Sequence, residues 1–229
     1  MLMLFGLVLT IIVYGIAKLI YQRSSMLLLS PLIVCPIILI TLLTISHISF
    51  KAYDQGGHLL SLMLQPATVA FAVPMYRYRA IIRKYLAELI ISVTGGAIVA
   101  IFTSVSAAEL MGLDSQIATS LAPRSITTPM AINVAQVLGG DPSMTAVFVI
   151  ATGVLGVLLT SSALKWGSIK RPVTRGMMFG ISAHGTGTSK AYEMGVLEGA
   201  IASLSMIFMG LITTVAAPLL VPVCFYFWR

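Results

Sequence analysis

Apolar stretches long enough to cross a bilayer constrain this chain more than any other feature. About 18 or more consecutive, mostly apolar residues are needed to span a hydrocarbon core about 30 Å thick. Such stretches run from Leu2 to Ile20, Met26 to Ile45, Leu59 to Tyr76, Tyr85 to Ala108, Met144 to Leu164 and Met194 to Trp228. Two more are interrupted, Ile117 to Leu138 and Met177 to Tyr192. Composition agrees: 58% of residues are hydrophobic and only 9% charged, too few to coat a soluble surface. The expected fold class is an all-α integral membrane protein of about seven or eight segments, read as a single transmembrane domain over residues 1–229.

The net charge of +7 does not point to nucleic acid, because the basic residues sit in short loops between apolar runs. Leu2 to Ile20 has no basic n-region and no small-residue cleavage site, so it reads as a mature helix. Cys35 and Cys224 stand alone in apolar runs, so neither a disulfide framework nor a metal site is expected.

Two loops carry dense positive charge: Arg77, Arg79, Arg83 and Lys84, then Lys165, Lys170, Arg171 and Arg175. Both belong on the cytoplasmic side, with Lys18 and Arg23, which leaves the N-terminus outside. The loops holding Asp54, and Glu109 with Asp114, then face outward. Three apolar segments separate the two basic loops, and three full crossings would put those loops on opposite sides. One segment must enter and leave by the same face. Ile117 to Leu138 is the candidate, since Pro123 and Pro129 both interrupt a helix there. Non-helical backbone at membrane depth survives only where it is buried in protein or lines a cavity. Pro66 and Pro74 break the Leu59 to Tyr76 segment similarly. One proline-broken segment in each half raises inverted repeats as the architecture, although no residue-by-residue repeat is visible.

Arg124 is the sharpest single residue. An arginine inside an apolar segment is costly unless paired or hydrated, and its planar fork fits a carboxylate. It either binds substrate or snorkels to the headgroups from a segment end. Ser125, Thr127 and Thr128 add hydroxyls, and Asn133 follows one to two turns on. Those hydroxyls either present donors to an anion at a half-helix N-terminus or bond their own backbone. A second cluster runs Ser182-Ala183-His184-Gly185-Thr186-Gly187-Thr188-Ser189-Lys190. Its alternating glycines and hydroxyls suit unwound backbone or close helix packing, and Gly180, His184 and Thr188 would share one helical face. His184 is either a substrate or proton group or a satisfied structural histidine. The Gly-Thr-Gly-Thr run lacks the Gly-Lys-Ser/Thr of a phosphate loop. Gln65 either contacts substrate or bonds the carbonyl that Pro66 leaves free. Glu193 and Glu198 read as boundary charges, with Glu193 placed to pair with Lys190. Tyr76 and Trp228 read as interfacial anchors.

Three motifs in order carry a resemblance: Leu64-Gln65-Pro66-Ala67-Thr68-Val69-Ala70 with Pro74-Met75-Tyr76, Pro123-Arg124-Ser125-Ile126-Thr127-Thr128-Pro129-Met130-Ala131, and Ser182-Ala183-His184-Gly185-Thr186-Gly187-Thr188. With them the chain resembles the LrgB/CidB family, and especially its YohK-like bacterial branch, from the second segment to the C-terminus. Where relatives commonly have a lysine before the Ser-x-Thr-Thr-Pro string, Arg124 keeps the charge but changes its geometry. The resemblance implies a multi-pass protein of the bacterial cytoplasmic membrane with a small LrgA/CidA-like membrane partner. It implies two functions. One is holin-like control of murein hydrolase activity and lysis. The other is carboxylate transport, as in plastid relatives that move glycolate and glycerate and in bacterial pairs linked to pyruvate.

The residues favour transport, since a lesion-forming holin needs no buried arginine, no histidine and no proline-broken helices. The expectation is a carrier for small monocarboxylates working by alternating access. Its substrate-binding candidates are Gln65, Thr68, Arg124, Ser125, Thr127, Thr128, Asn133, His184, Gly185, Thr186 and Thr188. No cofactor is expected, proton or sodium coupling is left open, and so is homo-oligomerisation. An intramembrane hydrolase built on a serine and His184 is not expected, because no Gly-x-Ser-x-Gly elbow or paired acids accompany them.

Overall fold

The computed structural model describes residues 4–24, 29–63, 66, 69–70 and 72–228; most of these are helical, with no strand among them. Two compact units divide the chain, one ending at Val69 and one beginning at Ala70.

The first unit holds α1 (Phe5–Ser24), α2 (Pro31–Ile45) and α3 (Phe50–Leu62). Helix α1 packs on both others. Val13 and Ala17 of α1 meet Cys35 of α2 in a small core. A Cβ on Gly6 would overlap the Tyr53 carbonyl, so α1 and α3 cross closely there, and Thr10 shares a 2.7 Å hydrogen bond with the Tyr53 hydroxyl. Asp54 lies within α3, not in the loop the sequence suggested. Of the segment expected at Leu59 to Tyr76, residues 59–62 end α3 and residues 72–76 lie in α4 (Ala72–Arg77); residues 64, 65, 67, 68 and 71 lie outside the described ones.

The second unit continues with α5 (Arg79–Leu110), α6 (Ser115–Leu121), α7 (Thr128–Val137), α8 (Pro142–Trp166), α9 (Pro172–Met194) and α10 (Val196–Trp228). Helices α1, α5, α8 and α10 are long and apolar enough to cross a membrane. The chain is thus a multi-pass membrane protein. At 1.5 Å per residue α6 and α7 rise only about 10 and 15 Å, so neither crosses a core of about 30 Å. They form a helical hairpin between α5 and α8, as charge parity requires. Its closure is visible at Ser120, whose hydroxyl accepts the Asp141 N–H (2.7 Å) and whose carbonyl accepts the Thr145 hydroxyl (3.1 Å). Asp141 Oδ1 then caps α8 at the Met144 N–H (2.8 Å).

Helix α9 is a second hairpin. His184, at φ 36° and ψ −118°, interrupts it. A Cβ on Gly187 would overlap the Phe179 carbonyl oxygen, although residues eight apart in a straight helix stand about 12 Å from one another. Gly176 and Tyr192, sixteen residues apart, both touch the first turns of α10: a Cβ on Gly176 would lie 2.6 Å from the Glu198 carbonyl, and one on Gly199 would overlap the Tyr192 ring. The first arm (172–183) therefore enters and the second (185–194) returns. The sequence placed Gly180, His184 and Thr188 on one helical face; the reversal at His184 corrects this, since Gly180 and Thr188 lie on opposite arms.

On the positive-inside expectation the basic loops mark the inner side. The second arm returns to that inner side, where the Tyr192 hydroxyl meets the Tyr78 hydroxyl at 3.4 Å, and Lys190 pairs with Glu193 as expected. Helix α10 then runs outward beside α5: Leu89 clusters with Ile201 and Leu204 near the inner end, and Val105 with Val221 and Cys224 farther out. Trp228 donates to the Ser106 hydroxyl at 2.9 Å, which ties down the expected interfacial anchor. Glu198 is not a boundary charge: it is only 8% exposed in the first turn of α10, beneath the α9 hairpin. The order is outward helix and outer hairpin, then inward helix and inner hairpin. In chain order a long helix and hairpin (α5 to α7) are thus followed by a second long helix and hairpin (α8 and α9), with α10 last.

Candidate functional site

The two hairpin tips share one cavity of about 450 Å³. Arg124 and Ser125 line it from the turn between α6 and α7; Ile181 and Ser182 line it from the first arm of α9. Thr103 of α5 and Thr152 and Thr160 of α8 add hydroxyls; Val99, Leu155, Leu159 and Met209 make most of the rest apolar, and the exposed Val99, Leu155 and Leu159 leave the cavity open at the protein surface.

Arg124 is held from one side. Its Nε–H donates to Ser104 Oγ at 2.8 Å. Ser104 lies six residues, roughly 9 Å, inside the outer end of α5, so the contact ties the guanidinium to that helix. No carboxylate forms an ion pair with Arg124 among the described residues. Arg124 is half-buried, and a cation in an apolar segment without a counter-charge is a candidate place for an anion. Thr127 strengthens this. It precedes α7 in extended conformation (φ −64°, ψ 143°), where its hydroxyl would usually accept from the second or third helical N–H. The second is Pro129, which has none, and Thr127 Oγ1 is buried without a partner. The start of α7 thus offers an unused hydroxyl and a positive dipole end close to Arg124 in the chain.

The inner tip is packed by small residues. A Cβ on Gly156 would overlap the Ser182 carbonyl, and one on Gly153 would lie 2.9 Å from His184 Cε1 and from Thr186 Oγ1. His184 is 6% exposed, with Nε2 3.2 Å from the Val149 carbonyl oxygen. It pins the turn to α8 and does not line the cavity. Thr188 donates to Met206 Sδ at 3.8 Å, Gly185 is exposed, and Asn133 is exposed on α7 away from the tip. Thr128 is half-buried in the first position of α7. Gln65 and Thr68 lie outside the described residues. Of the sequence candidates, the structure brings Arg124 and Ser125 to the cavity wall and sets Thr127 next to them. Ser104, Thr103, Thr152 and Thr160 were missed, and Ser182 stood in the second cluster without being named as a substrate-binding candidate. A signal existed in Gly96-x3-Ala100-x3-Ser104 and Gly156-x3-Thr160, small residues at helical spacing that let backbones and hydroxyls approach.

Comparison with known proteins gives the family. The LrgB-like family model matches residues 10–223. The chain is 44% identical over 215 residues to YwbG of Bacillus subtilis (strain 168), covering 94% of this chain and 96% of that one. It is 32% identical over 219 residues to the antiholin-like protein LrgB of Bacillus cereus (strain B4264), covering 95% of each, and equally to that of Bacillus anthracis (strain CDC 684 / NRRL 3495). No solved structure matches. With nearly the whole length aligned, the chain belongs to the LrgB-like family.

Proposed function

We propose that the protein is a carrier for small monocarboxylates of the glycolate, glycerate or pyruvate type, in the bacterial cytoplasmic membrane and beside an LrgA-like partner. The observation that carries this reading is Arg124, set in a shared cavity between two opposed hairpins with no acidic partner among the described residues. Broken helices whose ends converge at membrane depth are how secondary carriers hold anions. The cavity falls in the size range of small-molecule sites. In this account Arg124 takes the carboxylate through its free Nη atoms, Ser125 and Thr127 supply further donors, and no covalent bond is made or broken. Movement of the hairpin tips exposes the cavity to each side in turn.

A second reading is favoured by the names of the relatives, antiholin-like protein LrgB: an antiholin-like regulator of lysis. Uptake of labelled glycolate, glycerate and pyruvate into proteoliposomes, with and without the LrgA-like partner, separates the two. The carrier reading expects saturable, competable uptake that Arg124→Ala abolishes. Non-saturable leakage of unrelated solutes, unchanged in the variant, would establish the lysis reading instead.

A further inference from the structure

A second cavity, of about 670 Å³, lies on the inner side of the first. Glu88 and Ser92 of α5 and Arg171, Thr174 and Met178 at the start of α9 line it, with the Arg171–Glu88 ion pair (2.9 Å) across it. Arg171 belongs to the basic, inward loop, so this cavity is a cytoplasmic vestibule. The two cavities have three lining residues in common: Thr160, Ile181 and Ser182. The two cavities adjoin at these three side chains.

We propose that Thr160, Ile181 and Ser182 form the inner neck of the transport path, with the Thr160 hydroxyl handing the carboxylate from Arg124 to the vestibule and Ile181 limiting its size. This deepens the carrier reading and rests on it. The hydrogen bonds assign the hydroxyl roles. Ser182 Oγ donates to the Met178 carbonyl at 2.7 Å, which uses its one proton. In the 2.7 Å Thr160–Ser182 contact Thr160 must therefore be the donor. Turning that proton from Ser182 to a carboxylate oxygen exchanges one hydrogen bond for a charge-assisted one. The neck is narrow because α8 and α9 touch: a Cβ on Gly156 would overlap the Ser182 carbonyl. From the α5 side, a Cβ on Gly96 would lie 2.7 Å from Ile181 Cγ2. Ile181 is the one large apolar side chain of the three.

The test uses the full-length protein in proteoliposomes with its partner. Thr160→Val keeps the shape and removes the donor, and Thr160→Ser restores it. The proposal expects Thr160→Val to lower the maximal uptake rate about tenfold or more while the half-saturating concentration stays within about twofold, and Thr160→Ser to recover most of the rate. Ile181→Ala should admit carboxylates several carbons longer than wild type accepts. Both variants should elute as wild type does on size exclusion; if Thr160→Val does not, the size-selectivity of Ile181→Ala alone decides. Saturable wild-type uptake with neither effect overturns the neck and leaves the carrier standing. Absence of saturable uptake in wild type overturns both.

Discussion

Replacing Gly187 with alanine tests the inner hairpin directly. The added methyl would overlap the Phe179 carbonyl oxygen, lie 2.9 Å from its carbon and lie 2.8 Å from Ala183 Cβ. These are backbone atoms and a Cβ, so no side chain can swing aside; the two arms must separate. Overpacking a close contact costs typically 1–3 kcal/mol, and the rigid neighbours put this case at about 2–3 kcal/mol. At about 2–4 °C per kcal/mol for a chain of this size, melting should fall by roughly 4–12 °C. Gly185→Ala is the control, because a Cβ there meets nothing within 4 Å, and alanine favours the second arm by up to about 1 kcal/mol. Both are read as melting of detergent-solubilised protein by fluorescence-detected size exclusion. Equal melting temperatures for Gly187→Ala and wild type would refute the hairpin, since in a straight α9 residues 179 and 187 are far apart.

A cysteine at Lys190, in a background lacking Cys35 and Cys224, should react with an impermeant thiol reagent from the cytoplasmic face; a straight 23-residue α9 would carry it to the outer face, about 30 Å away. His184 holds a positive φ that a β-branched side chain tolerates poorly, so His184→Val should lower stability by about 2 kcal/mol or more. His184→Gly, which relieves the backbone while losing the Val149 contact, should cost less; the opposite order in a melting series would remove the histidine from the turn.

The outer hairpin was legible in the sequence because two local signals met there: prolines that break a helix at Pro123 and Pro129, and basic loops whose sidedness forbids three crossings. The inner hairpin was not. Its turn has no proline, and it depends on His184 adopting a left-handed backbone and on Gly187 meeting Phe179. Both are non-local, so the Gly-x3-His-x3-Thr spacing read as one helix face. Arg124 stood out by charge alone. Thr160 did not, since a hydroxyl in an apolar helix usually bonds its own backbone, and only the crossing of α8 with α9 pairs it with Ser182 of the second cluster. Asn133 misled because α7 resumes at Thr128 and carries residue 133 away from the tip.

Carboxylate binding by Arg124 is tested most directly by ligand-induced stabilisation, without the need for turnover. Glycolate, glycerate or pyruvate at about 100 times its dissociation constant should stabilise the wild-type protein by about 2.7 kcal/mol, a melting rise of several degrees. The account predicts that Arg124→Ala melts alike with and without the carboxylate, and that Arg124→Lys retains part of the shift. An equal shift in Arg124→Ala, or none in wild type at tens of millimolar, would contradict it.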